Sequence, residues 1–213
     1  MVRVYTLLHY AHMCGIAGFL GSDEDKLQRM TAALAHRGPD AQGITVKPMV
    51  SLGHTRLSML DPSPAGNQPM WSADGSVGIV YNGEIYNFQR LRDQAGLECQ
   101  TNTDTEVLLQ LYQQQGPDFV HALEGMFAFA LYDTQQDVLL LARDTAGMKP
   151  LYYATIDGAL HFASEVKSLL QAYTTKPPID EQALSLYVRF HYLPRPHTLI
   201  DGIQALEPGT MMT

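Results

Sequence analysis

Met13-Cys14-Gly15-Ile16-Ala17-Gly18-Phe19 sets a cysteine directly behind a methionine and at the head of an apolar strand. Ile16, Gly18 and Leu20 alternate with Ala17 and Phe19, so the strand is apolar on both faces and is expected to be buried. Gly15 and Gly18 leave room for close backbone approach beside the cysteine. If the chain starts after Met13, Cys14 carries a free α-amine beside its own thiol. An α-amine titrates near roughly 8 and a thiol near roughly 8.5, so both are poised near neutrality. One residue then holds a nucleophile and a base able to relay its proton to a leaving amine. Within a chain the same nitrogen is an amide with no basic lone pair. A lone cysteine is also read as a small hydrophobe in a strand, and that alternative stays open on this stretch alone.

The residues before Cys14 pose the matching question. MVRVYTLLHYAH, residues 1–12, has one Arg, a short apolar stretch and two interrupting histidines, a poor secretory signal. It reads as a propeptide or as a start assigned too early, with Met13 initiating and its removal exposing Cys14.

Composition narrows the function. The 213 residues carry a formal charge of −8 with no Lys/Arg cluster, which argues against nucleic acid and anionic membrane surfaces as partners. Apolar runs such as 125–132 are far too short to span a bilayer. Two cysteines, Cys14 and Cys99, make no disulfide framework and point to a reducing, cytoplasmic setting. The eight histidines are scattered, and no metal site is expected.

Taken in order, the chain predicts a helix capped at Ser22 with a stripe of Leu27, Met30 and Leu34, broken at Gly38-Pro39. Val50 to Leu60 reads as a strand in which Arg56 lies among apolar neighbours. A guanidinium there calls for a carboxylate, either that of an amino-acid ligand or one of the protein's own. Val77 to Tyr81 is a strand running into Asn82-Gly83, above all a turn signal. The pair also supplies a side-chain amide donor and an unobstructed backbone N–H, as a tetrahedral oxyanion requires. Thr103 and Glu106 form a capping box that places Asp104 at the first helical position. Its local role is to complement the helix dipole, and a ligand ammonium is the functional alternative. Strand pairs 126–133 with 138–143, and the Asp157-Gly158 turn, read as hairpins. Ser164 is expected to cap a short helix and Asp180 a longer one. These elements predict an α+β fold of layered antiparallel sheets with flanking helices.

Eight stretches in order, MCGIAGF, HRGPDAQG, LGHTRLSMLD, GEIYN, TDTEVLL, LEGMFAFALYD, RDTAGMKPLYY and FASEVKSLL, resemble the amidotransferase domain of the asparagine synthetase (glutamine-hydrolysing) family. That is a class II, N-terminal-nucleophile amidotransferase. The resemblance runs from Met13 almost to the end of the sequence and implies a four-layer α-β-β-α sandwich. It makes Cys14 the nucleophile and Asn82 with Gly83 the oxyanion hole. Arg56 and the backbone of Leu57, Ser58, Met59 and Leu60 would grip the carboxylate end of glutamine, with Glu84 and Asp104 near its ammonium. The implied reaction is glutamine hydrolysis through a Cys14 thioester with ammonia release, and it needs no cofactor or metal.

Domains are expected as a leader at 1–13, an amidotransferase domain at 14–190 and a linker at 191–213. The resembled family continues into a synthetase domain using ATP and magnesium, whose Ser-Gly-Gly pyrophosphate loop these residues lack. Asparagine formation from aspartate is therefore expected to need sequence or a subunit beyond this one. Expected partners are glutamine, an ammonia-accepting synthetase domain or subunit, and a second copy as a homodimer. Two alternatives stay open: a non-catalytic glutamine-binding domain with Cys14 blocked, and a stand-alone subunit feeding another acceptor.

Overall fold

The computed structural model describes residues 13–58 and 63–213. The leader 1–12 and two expected glutamine contacts, Met59 and Leu60, lie outside the described residues. The apolar stretch after Cys14 is strand β1 (Gly15–Leu20), buried at every position but the last. Helix α1 (Glu24–Ala32) starts one residue later than expected, because Asp23 rather than Ser22 accepts the Lys26 N–H. Strands β2 (Ala41–Val46), β3 (Val50–Arg56) and β4 (Met70–Trp71) follow.

Strand β5 (Val77–Ile85) runs straight through Asn82-Gly83, so the expected turn is absent. Nine residue pairs with β6 (Gly125–Asp133) hold it extended, Asn82 opposite Ala128 and Gly83 opposite Phe127. Long-range pairing here overrides a local turn preference. Helices α2 (Phe88–Ala95) and α3 (Asp104–Gln115) lie between the two strands in sequence. Strands β7 (Val138–Arg143), β8 (Tyr152–Ile156) and β9 (Ala159–Ala163) come next, with both expected hairpins present. Asp157 and Gly158 both have positive φ, the backbone that a two-residue hairpin turn requires.

Helix α4 (Val166–Leu169) has Glu165 at its N-cap position, with no capping side-chain hydrogen bond. Ser164, expected as that cap, instead accepts the Ile16 N–H at 3.0 Å and so ties β9 to β1. Asp180 caps α5 (Glu181–Phe190) as expected. The segment expected to be a linker carries β10 (Ile203–Ala205) and β11 (Met211–Met212), an edge strand for each sheet. Its Pro and Gly residues shape turns between short strands, and β10 pairs with β8 while β11 pairs with β7.

The sheets are antiparallel, with orders β10-β8-β9-β1-β3-β2 and β11-β7-β6-β5-β4. Alternation along each strand sorts side chains into three apolar layers. Ile16, Leu52, Val80, Ala130, Leu141 and Phe162 fill the space between the sheets. Ala17 and Phe19 pack outward with α1 and α4, while Phe127, Phe129 and Leu131 pack outward with α2 and α3. The result is the α-β-β-α sandwich, and Cys14 sits where β1 begins.

Phe129 is fully buried and stacks near Phe119 and Phe127. Its truncation in Phe129→Ala is expected to lower unfolding free energy by about 3–5 kcal/mol, read from urea denaturation midpoints.

Candidate active site

A cavity of about 290 Å³ opens between the sheets, lined by Cys14, Arg56, Leu57, Asn82, Gly83, Glu84 and Asp104 among others. Small-molecule sites begin at about 300 Å³, so its size suits one amino acid. Seven of the residues expected from sequence therefore meet in one place. Ser58 does not line it; its N–H is bound to Asp40 Oδ2 at 2.7 Å.

Cys14 is placed by β1 and held from two sides. The Leu57 N–H donates to Sγ at 3.4 Å, and the thiol faces the Leu57 carbonyl at 3.6 Å. Arg37 Nε donates to the Cys14 carbonyl at 3.1 Å. Burial pushes the thiol pKa up, while the Leu57 bond and the charges of Arg56, Lys149 and Arg37 pull it down. The HRGPD stretch is thus a tied turn, and one that also holds the Cys14 backbone. His36 and Arg37 share Glu165, and Asp40 reaches Ser58.

Arg56 is buried at the end of β3, and its Nη1 donates to the Ser63 carbonyl at 2.7 Å and to Asn67 Oδ1 at 2.8 Å. These two acceptors orient the guanidinium at the end of β3.

Asp104 begins α3, 4% exposed, with Oδ2 accepting from Tyr81 Oη at 2.7 Å and from the Ile85 N–H at 3.0 Å. Burial raises its pKa against those hydrogen bonds. Half of the expected capping box is present. Thr103 accepts from the Glu106 N–H, but the Glu106 carboxylate binds Gln100 and Thr101 instead.

Asn82 is 1% exposed, and among the described residues its side-chain nitrogen is buried with no acceptor. An orphaned buried donor costs about 1–3 kcal/mol, so one at a cavity wall points to a missing acceptor. At Gly83 any side chain would collide with the Met126 carbonyl and the Phe127 backbone. The close approach of β6 demands glycine there.

Several contributors were not singled out from sequence. Gln68 Oε1 accepts the Tyr81 N–H at 2.6 Å, and Lys149 and Met126 also line the cavity. His54, buried on β3, spans to β5, its Nε2 donating to the Tyr81 carbonyl at 3.2 Å. A carbonyl only accepts, so the proton is on Nε2. Inward alternation on β3, shared by Leu52, His54 and Arg56, was the available signal. Among the described residues no cluster of His, Cys, Asp and Glu is arranged for a metal ion.

Residues 13–213 match a family described as the glutamine amidotransferase domain. The chain belongs to that family. This amidotransferase domain is 38% identical over 212 residues to asparagine synthetase (glutamine-hydrolysing) 1 of Bacillus subtilis strain 168, covering 94% of the chain and 33% of that protein. It is 42% identical over 172 residues to asparagine synthetase B (glutamine-hydrolysing) of Escherichia coli K12, covering 76% and 31%. The domain thus spans about a third of the length of these relatives. In fold it is similar to a glutamine phosphoribosylpyrophosphate amidotransferase from B. subtilis, with TM-score 0.63 at 23% identity, covering 73% of this chain and 43% of that one.

Burial, aided by the Arg56 charge, lowers the His54 pKa from 6.5 to about 3. The unfolded chain therefore takes up a proton at this site as pH falls below 6.5, while the folded chain does so only near 3. Stability at this site is present above 6.5 and is lost as pH falls toward 3. His54→Gln is expected to flatten the acid-side decline in urea midpoint relative to wild type; an unchanged decline would contradict this.

Proposed function

We propose that this chain is the glutamine-hydrolysing half of an asparagine-forming enzyme, with Cys14 as its mature N-terminal residue and nucleophile. The observation that carries this is the convergence on one cavity of Cys14, Arg56, Asn82, Gly83, Glu84 and Asp104. They come from the starts of β1 and α3 and from the ends of β3 and β5.

In this account Arg56 pairs with the α-carboxylate of glutamine, beside the backbone from Leu57 to Leu60. Asp104 and Glu84 face its α-ammonium. The Cys14 thiol proton passes to the α-amine of the same residue as sulfur bonds to the side-chain carboxamide carbon. The carbonyl oxygen becomes an oxyanion, met by Asn82 Nδ2 and the Gly83 N–H. As the C–N bond breaks, the proton on the α-amine moves to the departing nitrogen and ammonia leaves. Water then adds to the thioester, its proton taken by the amine. The C–S bond breaks, the thiolate is reprotonated and glutamate departs. The α-amine in this cycle arises only on removal of Met13, which precedes Cys14 in the described residues.

The ammonia passes to a synthetase domain or subunit that activates aspartate with ATP and magnesium, in a compartment that keeps Cys14 and Cys99 reduced. Identity to asparagine synthetases about three times as long supports this. The cytoplasm fits, and a second copy of the chain is a further partner in this account. Among the described residues no helix is long and apolar enough to cross a membrane.

The test compares protein expressed from Met1 and from Met13, with the N-terminal residue and glutamate release measured on the same samples. Samples beginning at Cys14 are expected to release glutamate, and Cys14→Ala to abolish it. Asn82→Ala is expected to lower kcat about 10²–10³-fold. A folded chain that begins at Cys14 yet leaves glutamine intact overturns the proposal.

A further inference from the structure

Lys149 lies in the loop between β7 and β8, only 7% exposed, on the wall of the Cys14 cavity. Among the described residues its ammonium has one hydrogen-bonding contact, with Met13 Sδ at 3.3 Å. A thioether is a weak acceptor, so a buried ammonium is poorly compensated there. Arg37 approaches the same residues from the turn after α1. Its Nε holds the Cys14 carbonyl, its Nη1 pairs with Glu165, and its Nη2 is buried without an acceptor among the described residues. A third cation, Arg56, acts on the sulfur from β3.

The acids around this group are largely committed elsewhere. Asp144, in the Lys149 loop, accepts from the backbone N–H groups of Phe127, Ala146, Met148 and Lys149. Glu165 is shared among Arg37, His36 and Lys167. Asp104 is bound by Tyr81 and Ile85. Among the described residues, Glu84, on β5, is the other acid on the wall.

We propose that Lys149, with Arg37 beside it, is a positioning residue that holds the Cys14 α-amine as the free base at neutral pH. This rests on Cys14 being the mature N-terminus. Loss of Met13 removes the sulfur that Lys149 contacts and creates an amine at the adjoining position. A protonated amine there would be one more cation beside Lys149 and Arg37, and like charges disfavour the charged form. The same cations favour the Cys14 thiolate over the thiol, opposing the effect of burial. Both effects serve the first step, in which the amine must arrive without a proton in order to take one from sulfur. Lys149 itself gives and takes no proton.

The experiment measures kcat/KM for glutamate release against pH in protein expressed from Met13 and shown by mass to begin at Cys14. K149M is expected to shift the acid limb of the profile upward by about one pH unit, with activity recovering on the alkaline side. K149R restores the charge and should return the limb to its wild-type position. K149Q serves in place of K149M if the latter does not fold. A uniform loss at every pH with an unmoved limb assigns Lys149 a purely structural role and overturns the inference. Wild type that begins at Cys14 without releasing glutamate overturns the underlying assignment of Cys14, and the inference with it.

Discussion

The Cys14 sulfur is held between the backbone N–H and carbonyl of Leu57, and the rest of the site depends on that grip. It fixes the residue that precedes one strand against the residue that follows another, β1 and β3 being paired from Gly15 opposite Thr55 onward. The sulfur is thereby aimed into the gap between the sheets rather than out along the strand. Ser164, bonded to Ile16 through both its hydroxyl and its backbone N–H, secures the other edge of β1.

The second sheet supplies what the sulfur faces. Pairing of β5 with β6 carries Asn82 and Gly83 past the cavity in extended form, and Gln68 and His54 hold the Tyr81 backbone from two directions. Tyr81 in turn reaches Asp104 through its hydroxyl. The strand that bears the amide donor and the acid at the start of α3 are thus one hydrogen-bonded unit. A shift of β5 would move all of them together. The uncompensated donor on Asn82 and the poorly compensated ammonium of Lys149 are tolerated because this packing over-determines their positions.

The layered antiparallel fold and the convergence of Cys14, Arg56, Asn82, Gly83, Glu84 and Asp104 were legible in the sequence. Strand alternation, hairpin turns and ordered motifs are local signals, and the resemblance supplied the arrangement between them. What stayed hidden was set by distant parts of the chain. Asn82-Gly83 reads as a turn until β6 is laid beside it. Ser164 reads as a helix cap until it is placed beside Ile16, 148 residues earlier. The segment after His191 reads as a linker because three- and two-residue edge strands carry almost no periodic pattern. Lys149 entered only as part of the RDTAGMKPLYY motif, and its place beside Cys14 depends on a contact 136 residues apart in sequence.

In the proposed reaction the sulfur of Cys14 forms a bond to the glutamine side chain. Intact-mass spectrometry of acid-quenched protein during turnover, followed by peptide mapping, tests it most directly. The account predicts a glutamyl adduct on a peptide that begins at Cys14, present with glutamine and absent in Cys14→Ala. Glutamate release with no adduct under any quench condition, or an adduct mapped to Cys99, would contradict it.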